Sequence, residues 1–226
     1  MTEPLRLLAL AAGLSTPSST RLLADQLSRE AAAALGREGT EVEVRTIELR
    51  EYAHDLTDAL LTRFPNERLE SVIEQVRAAD AVIAVTPIFN VGPSGLFKTF
   101  VDALDTDLWA RKPVLLGATA GTARHSLAID YALRPLFAYL KAEVVPTAVF
   151  AASADLGGDT DGGADEQPLA ARVRRAASEL SLLLRSDADQ DREHSDAEPE
   201  PPRTVAVGLD DEFADFVPMG SLLGRG

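Results

Sequence analysis

The chain has 226 residues, a formal net charge of -14 and no cysteine. Its length suits one domain with a substantial core, and 46% hydrophobic with 26% charged residues is typical of a globular protein. The acidic balance argues against nucleic-acid binding, which needs clustered Lys and Arg. No apolar run reaches the roughly 18 residues of a membrane span, and the lack of cysteine excludes disulfides and thiol catalysis. We therefore expect a cytoplasmic protein without a membrane segment.

Apolar runs alternate with helical periodicity along the chain. Strands are predicted at Leu5–Ala12, Val42–Leu49, 79–87, 113–119 and 144–151. Helices are predicted from about Thr20 to Gly36, around 58–64 and 69–76, over Ser94–Leu104, over Ser126–Leu140 with Pro135 as an irregularity, and over 169–185. The first helix has an apolar face made of Leu22, Leu23, Leu27, Ala31 and Ala34. This alternation implies right-handed crossovers and a five-stranded parallel sheet with helices on both faces.

The domain organisation follows from a change of composition near residue 185. Residues 1–185 carry the alternating pattern, whereas Asp187–Glu200 contains seven acidic residues and one Arg. We expect 186–212 to be an acidic, Pro-containing, disordered linker. Residues 213–226 regain apolar side chains. They are expected to form either a docking segment or a weakly ordered tail.

Three loops follow predicted strands at their carboxyl ends, where parallel sheets bind ligands: 13–20, 87–95 and 119–125. The first, GLSTPSST, lacks both the P-loop lysine and the three glycines of a dinucleotide turn. It offers five hydroxyls, those of Ser15, Thr16, Ser18, Ser19 and Thr20. Two interpretations compete: an ordinary helix cap from Ser18 or Ser19, and an anion site at a helix N-terminus. A sheet order of 2-1-3-4-5 would bring all three loops around one crevice.

The other two loops favour a planar ligand. In TPIFNVGPSG, Pro and Gly expose backbone groups that can bind the edge of a heterocycle, while Phe89 offers an apolar surface. The alternative is a plain strand-to-helix turn capped by Ser94. In the third loop Gly121 lets a ring approach the backbone, and His125 is more often a structural residue than an acid or base. His54 and His194 lack any pattern of a metal site, so no metal is expected.

The stretch from about Leu5 to Asp155 resembles the NAD(P)H-dependent FMN reductases of flavodoxin fold, especially the alkanesulfonate-utilisation type and those that accompany luciferase-like flavin monooxygenases. TPIFNVGPSGLFKTFVDAL, residues 86–104, is similar to the family's Thr-Pro-aromatic and Ser-Gly-x-x-Lys segment. Residues 117–151 are similar to its third loop, helix and fifth strand. The first loop departs from the frequent Gly-Ser-x-Arg pattern, because Thr16 stands at the place of the arginine, and Pro93 replaces a frequent aromatic residue.

This resemblance implies a flavodoxin-like fold and hydride transfer from NADPH or NADH to FMN, with reduced FMN supplied to a flavin-dependent monooxygenase. Because the cofactor carries the chemistry, no catalytic side chain is expected. The implied cofactor-binding residues are Ser15, Thr16, Ser18, Ser19, Thr20, Pro87, Ile88, Phe89, Asn90, Val91, Gly92, Ala120, Gly121 and Thr122. A homo-oligomer, either dimer or tetramer, is implied as well. The alternatives are a flavin-bound quinone or azo reductase and a non-enzymatic flavodoxin-like electron carrier.

Overall fold

A computed structural model of the chain describes residues 3–37, 39–156 and 167–196, with side chains up to residue 186. The strands are β1 (Leu5–Ala11), β2 (Val42–Glu48), β3 (Ala81–Phe89), β4 (Gly92–Pro93), β5 (Pro113–Ala120), β6 (Glu143–Val144) and β7 (Val149–Ala152). The helices are α1 (Ser19–Gly36), α2 (Ala53–Thr62), α3 (Glu67–Ala78), α4 (Gly95–Ala103), α5 (Arg134–Tyr139), α6 (Ser153–Leu156) and α7 (Leu169–Asp196). Short 3₁₀ turns cover Leu49–Tyr52, Thr106–Leu108 and Ala123–His125, and a π-helical turn covers Ile129–Leu133.

The main sheet is parallel and has the order β2-β1-β3-β5, followed by β6 and β7, which both pair with β5. β6 and β7 together occupy the place of the predicted fifth strand, so the predicted order 2-1-3-4-5 and the flavodoxin-like class are confirmed. β4 is a short addition that pairs antiparallel with the end of β3. The order sets the ends of β1, β3 and β5 side by side, because β3 pairs with both of the other two.

Helices cover both faces of the sheet, and each face has its own core. On one face the aromatic rings of Phe100 and Phe137 pack edge-on against Trp109, which is fully buried. On the other face α1 and α7 bury Leu27 and Leu180. A fully buried side chain of this size contributes about 1.5–3 kcal/mol. Leu22 is an exception to the predicted apolar face of α1, because its side chain is 41% exposed.

Two predicted elements are interrupted at prolines. The helix predicted over Ser126–Leu140 divides into the π-helical turn and α5, since Pro135 has no amide hydrogen to continue the hydrogen-bond ladder. The fifth strand, predicted over 144–151, divides into β6 and β7 around Pro146. There Arg134 donates hydrogen bonds to the carbonyl oxygens of Val145 and Pro146. The free carbonyls of the break are therefore satisfied by a helix side chain.

The last helix passes the predicted domain boundary. α7 continues to Asp196, whereas the sequence pattern predicts an end at residue 185. The beginning of the predicted linker, 186–196, is therefore helical backbone. The rest of the linker and the tail at 213–226 lie outside the described residues, and their roles remain predictions. None of the helices within the described ranges is long and apolar enough to cross a membrane.

Candidate functional site

A crevice of about 360 Å³ opens at the carboxyl edge of the sheet, where β1, β3 and β5 end. This volume falls within the usual range of small-molecule sites. The lining residues are Gly13, Leu14, Ser15, Ser18, Ser19, Thr20, Pro87, Ile88, Phe89, Thr119, Ala120, Gly121, His125, Ser153 and Leu156. All three predicted loops contribute to it. They meet because their strands are neighbours in the sheet.

Nine of the fourteen predicted site residues line this crevice: Ser15, Ser18, Ser19, Thr20, Pro87, Ile88, Phe89, Ala120 and Gly121. The remaining five are not among the lining residues: Thr16, Asn90, Val91, Gly92 and Thr122. Sequence reasoning missed Gly13, Leu14, Thr119, Ser153 and Leu156 as lining residues. Gly13, Leu14 and Thr119 lie within the predicted loops 13–20 and 119–125, so the loop pattern itself could have identified them. Ser153 and Leu156 come from α6, for which the sequence showed no ligand pattern.

The hydroxyl loop after β1 combines the two interpretations that the sequence left open, a helix cap and a hydroxyl available to an anion. Ser18 caps α1, because its Oγ accepts a hydrogen bond from the amide of Arg21 at 3.2 Å. Ser15 Oγ donates to the carbonyl oxygen of Pro17 at 2.9 Å. Ser19 is exposed, and its hydroxyl has no partner among the described residues. One serine therefore stabilises the helix while the next remains available to an anion at the helix N-terminus.

Close packing fixes the shape of this loop. A Cβ atom added at Gly13 would lie 1.9 Å from the Oγ of Ser18, a distance that no side chain tolerates. Gly13 is therefore required by space, and any larger residue would displace the helix cap. Thr20, at the start of α1, is buried, and its Oγ1 lies 2.9 Å from the Oγ1 of Thr119 at the end of β5. This hydrogen bond joins the first loop to the third.

Behind the loop lies a cluster of two arginines and two carboxylates. Arg21 pairs with Asp25 at 2.8 Å and with Glu48 at 2.9 Å. Arg50 pairs with the other oxygen of Glu48 at 2.8 Å. The hydrogen bond from Asp25 raises the pKa of Arg21 above its ordinary value, helped by the charges of Asp25 and Glu48 and opposed by partial burial. Arg21 is therefore held firmly as a cation on the side of α1.

The second loop is a rigid turn between β3 and α4. The amide of Ser94 donates to Thr86 Oγ1 at 3.1 Å, and Ser94 Oγ accepts from the amide of Phe97, so that Ser94 caps α4 as the simpler interpretation predicts. Before it, the β3–β4 hairpin turns through Asn90 and Val91, with positive φ angles of 50° and 67°. This hairpin leaves the Phe89 ring half exposed on the crevice wall.

The third loop supplies small residues and His125 to the crevice lining. An added Cβ at Gly121 would meet nothing within 4 Å, so there is open space over this part of the backbone. His125 lines the crevice, and the lining contains no Asp, Glu, Lys or Arg. In the part of the chain that the structure describes, no cluster of His, Asp and Glu could hold a metal ion. The arrangement suits a ligand with an anionic end and a flat apolar body.

A second groove, of about 390 Å³, lies at the other end of the sheet. Its lining includes Arg6, Glu43, Arg45 and Glu74, which carry charges of both signs. Ligands of parallel sheets bind at the carboxyl ends of the strands rather than at this end. The crevice formed by the three loops is therefore the candidate site.

The fold and the crevice define a flavodoxin-like protein, and comparison with known proteins narrows the class. A family model described as NADPH-dependent FMN reductase matches residues 5–157. The NADH-dependent FMN reductase SfnE of Pseudomonas putida is 37% identical over 184 residues, covering 81% of this chain and 95% of that protein. An FMN reductase (NADPH) of Pseudomonas aeruginosa is 33% identical over 184 residues, with coverage of 81% and 95%.

A solved structure supports the same assignment. An oxidoreductase from Corynebacterium diphtheriae matches with a TM-score of 0.76 and 44% identity, covering 82% of this chain and 99% of that one. The chain belongs to the NADPH-dependent FMN reductase family. It is an NAD(P)H:FMN oxidoreductase with FMN and a reduced nicotinamide dinucleotide as its cofactors, which confirms the activity expected from the sequence.

Proposed function

We propose that this enzyme reduces FMN in order to supply it to a flavin-dependent, luciferase-like monooxygenase. The observation that carries the proposal is the convergence of three loops on one open crevice without an acid–base pair. A site of this kind binds and orients a flavin and leaves the chemistry to it. An open crevice also permits the reduced flavin to leave for a second enzyme.

The residues present fit FMN at both ends. The unpaired hydroxyl of Ser19 and the free amides of the first turn of α1 would hold the phosphate. Ile88, Phe89 and Leu156 would provide apolar contacts for the ring system. The open space over Gly121 would admit a ring edge close to the backbone. When bound, FMN accepts a hydride from the nicotinamide.

His125 has a positioning role in this proposal. It is the one Asp, Glu, His, Lys or Arg of the crevice lining and belongs to the third loop. An imidazole there can donate a hydrogen bond to a flavin oxygen. The apolar residues around it would keep bulk water from the ring face.

Turnover assays test the activity and its destination. We expect the purified protein to oxidise NADH or NADPH when FMN is added. Oxidation that proceeds with quinone or azo acceptors but not with free FMN would replace the proposal by the quinone or azo reductase alternative. A stably bound flavin without nicotinamide turnover would favour an electron carrier. Supply to a monooxygenase is tested by coupling the enzyme to a luciferase-type oxygenase and measuring product with catalase present.

We also infer a homo-oligomer in the cytoplasm. Two exposed apolar side chains support an interface: β4 contacts the π-helical turn, and Val91 before β4 and Tyr131 in that turn are 66% and 79% exposed. α4 offers less to an interface, because its Phe97 and Phe100 are buried in the chain's own core. Light scattering after size exclusion tests the inference. A monomer at micromolar concentration would contradict it.

A further inference from the structure

The hydroxyl loop contains no cation of its own, although the proposed ligand is an anion. The crevice lining has no Lys or Arg, and the chain carries a net charge of -14. A flavin phosphate has a charge of about -1.5 to -2 at neutral pH by analogy with other phosphate monoesters. Its binding in an acidic protein calls for a positive charge near the loop.

Arg50 brings such a charge to the loop from the turn after β2. Its Nη1 donates a hydrogen bond to the carbonyl oxygen of Ser15 at 3.2 Å and also contacts the Oγ1 of Thr16. Among the described residues that lie outside the loop and α1, Arg50 is the one whose side chain hydrogen-bonds to residues 13–17. It stands behind the loop rather than in the crevice lining. It therefore acts on a ligand through the loop and through its charge.

The positive charge of Arg50 is compensated less by nearby carboxylates than the positive charge of Arg21. Arg21 pairs with both Asp25 and Glu48, whereas Arg50 pairs with Glu48 alone and shares it with Arg21. The side chain of Arg50 is 29% exposed and that of Glu48 is 18% exposed, so solvent screens this cluster only in part. Glu48 thus orients the guanidinium of Arg50 toward Ser15 and Thr16 and, because it is shared with Arg21, compensates the charge of Arg50 only in part.

We propose that Arg50 is a positioning residue that sets the preference of the crevice for a phosphorylated flavin over an unphosphorylated one. Its contacts with Ser15 and Thr16 hold the hydroxyl loop in the conformation that faces the crevice. Its charge strengthens the binding of the phosphate. The inference rests on the proposed function, since it concerns the same crevice.

The affinity for FMN compared with that for riboflavin isolates this effect, because the two flavins share the ring system and differ in the phosphate. We expect Arg50→Gln to raise the Kd for FMN at least about tenfold, the effect of a lost charge-assisted interaction, and to change the Kd for riboflavin less than about twofold. Arg50→Lys keeps the charge but loses the planar fork, so it should recover part of the FMN affinity. Arg45→Gln is the matched control. It removes the same charge from β2, where Arg45 pairs with Glu43 and makes no hydrogen bond to the loop.

Flavin fluorescence quenching with the full chain supplies both constants, and circular dichroism shows whether each variant is folded. The preference of the unaltered protein for FMN over riboflavin should also fall as salt is raised from about 50 to 500 mM. This measurement tests the electrostatic contribution to FMN binding even if Arg50→Gln does not fold. Equal losses of FMN and riboflavin affinity in Arg50→Gln, or an FMN affinity that changes neither in Arg50→Gln nor with salt, would overturn the inference while leaving the proposed function in place. Failure of the unaltered protein to bind FMN would overturn both.

Discussion

The Oγ1 atoms of Thr20 and Thr119 lie 2.9 Å apart in a buried contact that connects the start of α1 with the end of β5. The two residues are far apart in sequence, and each belongs to a different loop of the crevice. Their hydrogen bond fixes the distance between the proposed phosphate end and the third loop.

Replacement of Thr119 by Val should therefore destabilise the protein. The change leaves the hydroxyl of Thr20 buried without its partner, at a cost of about 1–3 kcal/mol. The double variant Thr20→Val, Thr119→Val should regain part of this loss, because both polar groups are then absent. Urea unfolding of the two single variants, Thr20→Val and Thr119→Val, and of the double variant measures these effects. Strictly additive effects would show that the two hydroxyls do not interact.

Ser18 and Ser19 should respond differently to replacement by Ala. Ser18→Ala removes the cap of α1 and should lower the free energy of unfolding by about 1 kcal/mol. Ser19→Ala removes an exposed, unpaired hydroxyl and should leave stability unchanged while weakening FMN binding about tenfold. Unfolding and flavin titration on each variant separate the two roles. If Ser19→Ala bound FMN as tightly as the unaltered protein, Ser19 would not be a phosphate ligand.

Val91→Gly should stabilise the β3–β4 hairpin. Val91 has a φ of 67°, in the left-handed region that a β-branched residue seldom adopts. Relief of about 1–3 kcal/mol of strain exceeds the roughly 0.4–1 kcal/mol that glycine costs through the unfolded chain. Thermal unfolding should show a higher Tm. Val91→Ile retains the branched Cβ and serves as the control, and a Tm for Val91→Gly below that of Val91→Ile would contradict the assignment of strain.

Glu179 should make stability depend on pH. Glu179 accepts hydrogen bonds from the amide and hydroxyl of Thr147 at 2.7 and 2.8 Å and from Arg175 at 2.9 Å. Burial raises its pKa, but these hydrogen bonds and the charge of Arg175 outweigh burial, so the pKa lies below its ordinary value of 4.5. The stabilisation is therefore complete above the pKa of the unfolded chain and is lost as pH falls through the folded-state pKa.

The variant Glu179→Gln tests this dependence. It should be less stable than the unaltered protein by about 1 kcal/mol at pH 7, and the difference should narrow as pH is lowered below 4.5. Glu74→Gln is the control, since Glu74 forms an exposed pair with Arg77. A difference between Glu179→Gln and the unaltered protein that stays constant from pH 7 to pH 3 would exclude the carboxylate as its source.

The sequence predicts the order of the elements and the meeting of three loops well, because buried strands and amphipathic helices leave local periodic patterns. It does not predict the divided fifth strand, since the break depends on Arg134 supplying hydrogen bonds to Val145 and Pro146 across the fold. For the same reason, the sequence does not predict that Thr119 is the hydrogen-bond partner of Thr20. A threonine at the end of a strand gives no local sign of the hydroxyl it will contact. The contribution of Ser153 and Leu156 to the lining likewise depends on the position of α6 directly after β7, which no local pattern indicates.

Two helices anchor the break around Pro146, and one of them is the last described helix of the chain. α7 buries Val173, Ala177 and Leu180 against the sheet and reaches the break through Glu179. The C-terminal extension can therefore be shortened or fused to a reporter only beyond the buried turns of α7. A truncation that enters them would remove one wall of the core and the anchor of the last strand together. Any study of the acidic extension should begin its deletions beyond residue 186.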